Sequence, residues 1–336
     1  MKKFSLLILI VISIFFNSSC NQNNLKIDIS NVDVSISIKR FEQDLFAINE
    51  DSIIESIDYL EHKYPDFFNL YNYEIIRIGG TNNIEFVGRM NLFLNNETVI
   101  SSYQKSKEVF SDISMLENEL SDAFKHYKYY FPEKEIPQII SYVSGFNHQI
   151  VVADNLIGIG LDKYLGRNCK FYSQLGLPRY LMYKMHPKKI VSDCMLAWAR
   201  SEFVFDDSIN NLLSYMVYEG KLMYFLDAML PNQSDTIKIG YSLKKLKWCK
   251  TNEENMWMFL IDKDLLFSHK SSDINRFIND GPFTAVFLKD SPARTGVYIG
   301  WQIVKLYMKN NPEISINNLM NENNYQKILS LSKYNP

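Results

Sequence analysis

Glu219 is the residue whose surroundings ask most of it. It lies in the run Leu212-Leu213-Ser214-Tyr215-Met216-Val217-Tyr218-Glu219-Gly220-Lys221, otherwise almost wholly apolar or aromatic. If buried on a helix there, its carboxylate needs a metal, a cation or a proton, because an isolated charge is costly to remove from water. On an exposed face it is an ordinary solvated glutamate, and the pattern leaves both open. Metal chemistry finds little support in spacing. The histidines, His62, His126, His148, His186 and His269, are scattered, and no HExxH pairs two imidazoles one turn apart. No GxSxG elbow, Walker A loop or GxGxxG turn is present, so no cofactor is implied. Asp154 and Asp162 flank Leu156–Leu161 and could form an acid–base pair, although turn and strand-end capping explains them with fewer assumptions. Gly158 and Gly160 read as strand glycines where another backbone comes close. In Pro292–Val304, Gly300 would let a neighbouring element approach a helix, and Tyr298 and Trp301 fall at core spacing.

The N-terminus carries a different chemistry. Lys2 and Lys3 precede the apolar run Leu6–Phe16, which is shorter than the roughly 20 residues a membrane-crossing helix needs. Small residues Ser18 and Ser19 lead into Cys20. This is the pattern of a signal peptide over residues 1–19, cut before a cysteine that then receives lipid. Residues 20–31 read as a tether, without an acidic cluster, and a periplasm-facing protein is the favoured reading. The membrane, reached through that lipid, is the first partner expected.

Nearly half the chain is hydrophobic, at 46%, and 14% is aromatic, enough for a sizeable core. The formal net charge is −2. That balance makes no basic stripe for a phosphate backbone, and nucleic acid is not an expected partner. Cys169, Cys194 and Cys249 lack any close-ligand spacing and read as buried small side chains, with room for one disulfide.

No repeat, long linker or low-complexity block divides residues 32–336, so one domain is expected. Alternation at Val32, Val34, Ile36 and Ile38 predicts a half-buried strand. Helical spacing runs from Phe41 to Lys63 and stops before Pro65. Tyr73–Ile78 reads as a short strand, and Val99–Tyr130 as one long amphipathic helix. Two β-rich runs, Ile136–Ser144 and Gln149–Leu161, suggest paired strands around Gly145-Phe146. Helices are expected over Lys189–Phe203, Ile209–Met229, Leu243–Lys263 and Val297–Lys309. Strands early and helices late give an α+β class, mostly helical, with a small sheet in the N-terminal half.

Several ordered segments resemble the gliding-motility lipoprotein GldB family of Bacteroidetes. They include Ile136-Pro137 with Tyr142–Phe146, Gly158–Gly166, Tyr218–Lys221, Phe225–Pro231, Gly300–Val304 and Ser332–Tyr334. The resemblance implies an envelope protein needed for gliding and for the linked type IX secretion machinery, with protein partners there and no enzymatic activity to carry over. A fainter likeness reaches a group of predicted zinc proteases built on an HExxH helix, a later Glu-Gly helix and a C-terminal Tyr-x-x-Gly helix. It implies a zincin-like scaffold emptied of its metal. Glu219 would stand at the third-ligand position, and Ser192-Asp193-Cys194-Met195-Leu196 would replace HExxH, with Ser192 and Leu196 in place of both imidazoles. Lys221 would set a positive charge nearby, and Tyr298 would head the last helix. These six residues form the candidate vestigial site. A non-catalytic role is the favoured reading, against an envelope hydrolase working around Asp193 and Glu219, or a glycan binder suggested by the aromatics.

Overall fold

The computed structural model describes residues 25–48 and 53–336. The expected leader, Cys20 and the first residues of the tether lie outside the described residues. Four strands form one sheet: β1 (Ile38–Arg40), β2 (Gln138–Tyr142), β3 (Ile150–Ala153) and β4 (Leu156–Gly160). Their order is β1-β2-β4-β3, parallel for β1/β2 and β2/β4 and antiparallel for the β3/β4 hairpin. The two β-rich runs therefore do not simply pair with each other. The second folds on itself at Asp154-Asn155, and only its outgoing arm joins β2.

Alternation along the strands places a core on each face. Ile139, Ile157 and Ile159 join the large core built by the later helices. Ile140, Tyr142 and Leu156 join a smaller aromatic core with Phe41, Phe67, Phe68 and Tyr71. Each sheet face is thus covered by helix, residues 41–94 on one side and Ser114–Tyr130 with the later helices on the other. At the centre of the late layer is the helix Leu212–Met229, with 16 of its 18 residues buried, so it has no solvent face to define. Asn211 and Ser214 close its N-terminus as a capping box, which starts the helix at Leu212 rather than Ile209. Among the described residues, no helix is long and apolar enough to cross a membrane.

Several boundaries differ from the sequence expectation for local reasons. Val32–Ile36 runs beside the helix Ser114–Tyr130 instead of in the sheet. The amides of Ile36 and Ile38 donate to Ser121 Oγ at 2.9 Å and Glu117 Oε1 at 2.8 Å. The predicted Phe41–Lys63 helix is Phe41–Leu45 followed by Ile53–Lys63. Tyr73–Ile78 is not a strand: Tyr71–Ile75 is a turn of π-helix, which buries Tyr71 and Ile75 and sends the Tyr71 hydroxyl to Val143 O at 2.7 Å. The long helix breaks into Glu97–Val109 and Ser114–Tyr130, and in the turn between them Asp112 accepts from the Ser114 amide at 2.8 Å, a local bond that competes with helix continuation. Leu243–Lys263 likewise breaks at Asn252, whose side chain donates back to Trp248 O.

Asp162, expected either as half of an acid–base pair or as a cap, is a cap. It is fully buried and accepts from the amides of Ser144 and Phe146, at 3.1 and 2.6 Å, around the left-handed pair Gly145-Phe146. Asp154 lies exposed in the hairpin turn. Burial raises the Asp162 carboxyl to about 6 from an ordinary 3.8. A folded pKa above the unfolded one gives stability that is full below about pH 4 and lost as pH rises through about 6. A rise of that size is worth about 3 kcal/mol. The Asp162→Asn variant should therefore gain on the parent by roughly that amount between pH 4 and pH 7. Paired urea titrations read the difference, and a flat one would mean that Asp162 is not buried as described.

Candidate functional site

A cleft of about 530 Å³ opens where the edge strand β3 meets the helix Ile190–Glu202 and the start of the helix Thr295–Asn310. Along the first helix, Asp193, Leu196, Ala197 and Arg200 fall three and four residues apart, so one face presents them all to the cleft. Glu219 enters from the central helix, and Arg294 from the residue just before Thr295.

Every carboxylate around this cleft is engaged. Arg200 Nη2 lies 2.7 Å from both oxygens of Glu219, which is only 6% exposed. Arg294 Nη2 lies 3.7 Å from the same carboxylate. Asp193 pairs with Lys189 Nζ at 2.8 Å and accepts from Gln149 Nε2 at 2.9 Å and the Tyr164 hydroxyl at 3.0 Å. Burial, reinforced by Asp193, holds that phenol well above its usual range, so it stays a donor. Asp280 pairs with Lys184, whose ammonium is lowered to about 8 by burial and by the neighbouring Arg294. Arg294 adopts a left-handed conformation, φ +59°, that costs a non-glycine residue about 1–2 kcal/mol. Its carbonyl takes the Tyr241 hydroxyl at 3.1 Å, and its guanidinium donates to Ile239 O at 3.2 Å. These contacts fix the residue with its side chain toward Glu219.

Of the sequence candidates, the structure brings Asp193, Leu196 and Glu219 together and separates the other three. Ser192 points away from the cleft into the core, where its hydroxyl donates to Lys189 O and accepts from Lys189 Nζ. Lys221 supplies no charge to Glu219. Its ammonium donates to Glu322 O at 2.9 Å and lies over the Tyr325 ring, and burial lowers it to about 8. Two residues apart on a helix, the two side chains leave on different faces. Tyr298 bonds Glu253 Oε2 at 2.7 Å and is core. Among the described residues, Cys169, Cys194 and Cys249 are free, and burial pushes the Cys194 thiol far up, away from nucleophilic use.

Sequence reasoning missed Arg200, Lys189, Lys184 and Asp280. Arg200 was within reach: it continues the face that starts at Asp193, and a buried glutamate calls for a cation. Zinc does not fit these residues. Among the described residues, no three of His, Cys, Asp or Glu converge, and Glu219 is already held by two guanidiniums. Nor does this cleft include an aromatic ring on which a sugar could stack.

Fold and cleft together define a single-domain α+β protein with an ion-paired cleft under a sheet edge. Residues 22–336 match the family model described as Gliding motility protein GldB, and the chain belongs to that family of gliding-motility lipoproteins. No curated protein and no solved structure matches it.

Proposed function

We propose that this chain is a non-catalytic envelope lipoprotein, acylated at Cys20 and facing the periplasm. It supports gliding, and the type IX secretion machinery coupled to it, through protein–protein contacts. The observation that carries this reading is the state of the cleft. Asp193 and Glu219, the two groups best placed to act as acid or base, are each bound to fixed cations that hold them as structural anions. A general base must reach the proton it removes, and these oxygens already accept from the protein itself. Family membership supplies the gliding context. A zincin-like ancestry, emptied of its ligands, is consistent with Asp193 and Glu219 meeting across one cleft.

The test is complementation of a gliding strain that lacks its own copy. Glu219→Gln keeps an acceptor for Arg200 but removes the charge, a loss of about 1–3 kcal/mol in stability. Spreading should then follow the amount of folded protein and nothing else. A folded, normally abundant Glu219→Gln protein that fails to support spreading would sink the non-catalytic reading. In the same strain, Cys20→Ala should abolish fatty-acid labelling and membrane retention; unchanged labelling would remove Cys20 as the anchor.

A further inference from the structure

A cavity of about 740 Å³ lies beside the cleft, and no sequence motif marks it. Lys105, Arg167, Lys184, His186, Lys188 and Lys189 line it, and no aspartate or glutamate does. In a chain with a net charge of −2, so uneven a gathering of cations requires a reason. Three of the lysines have carboxylate partners set back from the cavity: Glu108 for Lys105, Asp280 for Lys184 and Asp193 for Lys189. Arg167 and Lys188 form no ion pair among the described residues. Arg167 is instead laid flat over the Tyr183 ring, 4.1 Å from its centre, which orients its fork. His186 lines the same cavity, and burial, with Arg167 and Lys189 close by, lowers its affinity for a proton.

We propose that this cavity binds a phosphate ester. A planar guanidinium fork, a mobile ammonium and an imidazole suit the several oxygens and the double charge of a phosphate better than a single carboxylate. The volume exceeds that of a bare ion, and Leu165, Ile237 and Tyr241 on the walls suit an organic body attached to it. Position indicates the source. Lys188 and Ile237 also line the adjoining groove where Lys26, Ile27 and Ile29 lie, so the cavity is on the side where the tether leaves the domain. Cys20 to Leu25 reaches at most about 17 Å. If Cys20 carries lipid, phospholipid headgroups come within reach of Arg167 and Lys188. The choice of source rests on that anchor; the binding itself does not.

The experiment titrates the full chain, in a neutral detergent, with glycerol 3-phosphate and with dihexanoylphosphatidic acid, read by calorimetry. Saturable binding is expected, weakened at least about tenfold in Arg167→Glu/Lys188→Glu, where two charge-assisted contacts reverse sign. Both residues are exposed, so the fold should survive, and unchanged melting confirms it. Exchanging Lys247 and Lys250, exposed elsewhere, should leave affinity within about twofold. A tenfold preference for the diacyl compound identifies a lipid headgroup, and equal affinity identifies a soluble phosphate ester. No binding of either compound, or equal binding by both charge-exchanged proteins, overturns the site. Neither probe requires acylation of Cys20, so loss of the anchor and loss of the site are separately visible.

Discussion

The Gly300→Ala variant is expected to lose a large part of the fold's stability. At Gly300 the helix Thr295–Asn310 lies directly on the central helix, and an added Cβ would sit 1.7 Å from Met216 O. The reciprocal approach is almost as close: a Cβ at Gly220 would lie 2.2 Å from Gly300 O. The obstacle is backbone on both sides, so no rotamer change relieves it and the helices would have to separate. Separation would open the core around Trp301, Val297, Val217 and Met216, all buried. Overpacking usually costs about 1–3 kcal/mol. A clash against rigid backbone in the central contact should exceed about 4 kcal/mol, a large part of a typical domain's 5–15. The same substitution at Gly88 is the control. Gly88 lies in the helix Phe86–Leu94 with nothing within 4 Å of the added atom. Helix propensity alone should then stabilise Gly88→Ala by up to about 1 kcal/mol. Soluble yield and urea midpoints of the two variants should therefore move in opposite directions. A soluble Gly300→Ala protein with an unchanged midpoint would show that the helices do not touch at this point.

The second large effect is expected at Asp227, also on the central helix. Its carboxylate takes Lys238 Nζ at 2.8 Å and Trp301 Nε1 at 2.7 Å, with Lys305 Nζ at 3.4 Å. Lys238 is 4% exposed and Asp227 7%, so the pair is out of water. Asp227→Ala would leave a buried ammonium and a buried indole N–H without an acceptor, a loss of about 3–5 kcal/mol. The partner substitution separates charge from packing. In Asp227→Ala/Lys238→Met the uncompensated charge is gone, and most of the lost stability should return. Urea unfolding of the two single variants and the double one gives the coupling directly. If Asp227→Ala alone costs less than about 1 kcal/mol, water reaches Lys238 and the pair is effectively a surface one.

How much of this was legible in the chain depended on the range of the interactions involved. The apolar run announced a helix, expected over Ile209–Met229 with its Glu219 face left open, and Gly300 announced a close approach, because both signals are local. The interruption at Phe110–Ile113 was hidden, since the four residues preserve the apolar spacing of the helices on either side. The π-turn at Tyr71–Ile75 resembled a strand because its aromatic and β-branched residues serve a tertiary core rather than a ladder. The cleft was half legible. Asp193, Leu196 and Glu219 were named from motif position, and they do meet. Lys221 was named by proximity in sequence, which says little about helix faces, and Tyr298 by its place in a Tyr-x-x-Gly pattern, yet Tyr298 bonds Glu253 instead. Arg294 was noted as preceding a helix, but nothing local shows that a left-handed residue there aims its guanidinium at Glu219. The cavity of Arg167 and Lys188 joins segments about 20 residues apart, neither unusual alone.

The contact between Gly220 and Gly300 also orders events in time. The sheet is complete by residue 160, whereas the central helix stays uncovered on one side until residues 295–310 arrive. A chain emerging N-terminus first therefore completes its most apolar helix at residue 229, well before the helix that covers it begins at residue 295. The contact that locks the two helices together can form only once residue 300 has been made, and until then the apolar face it covers stays open.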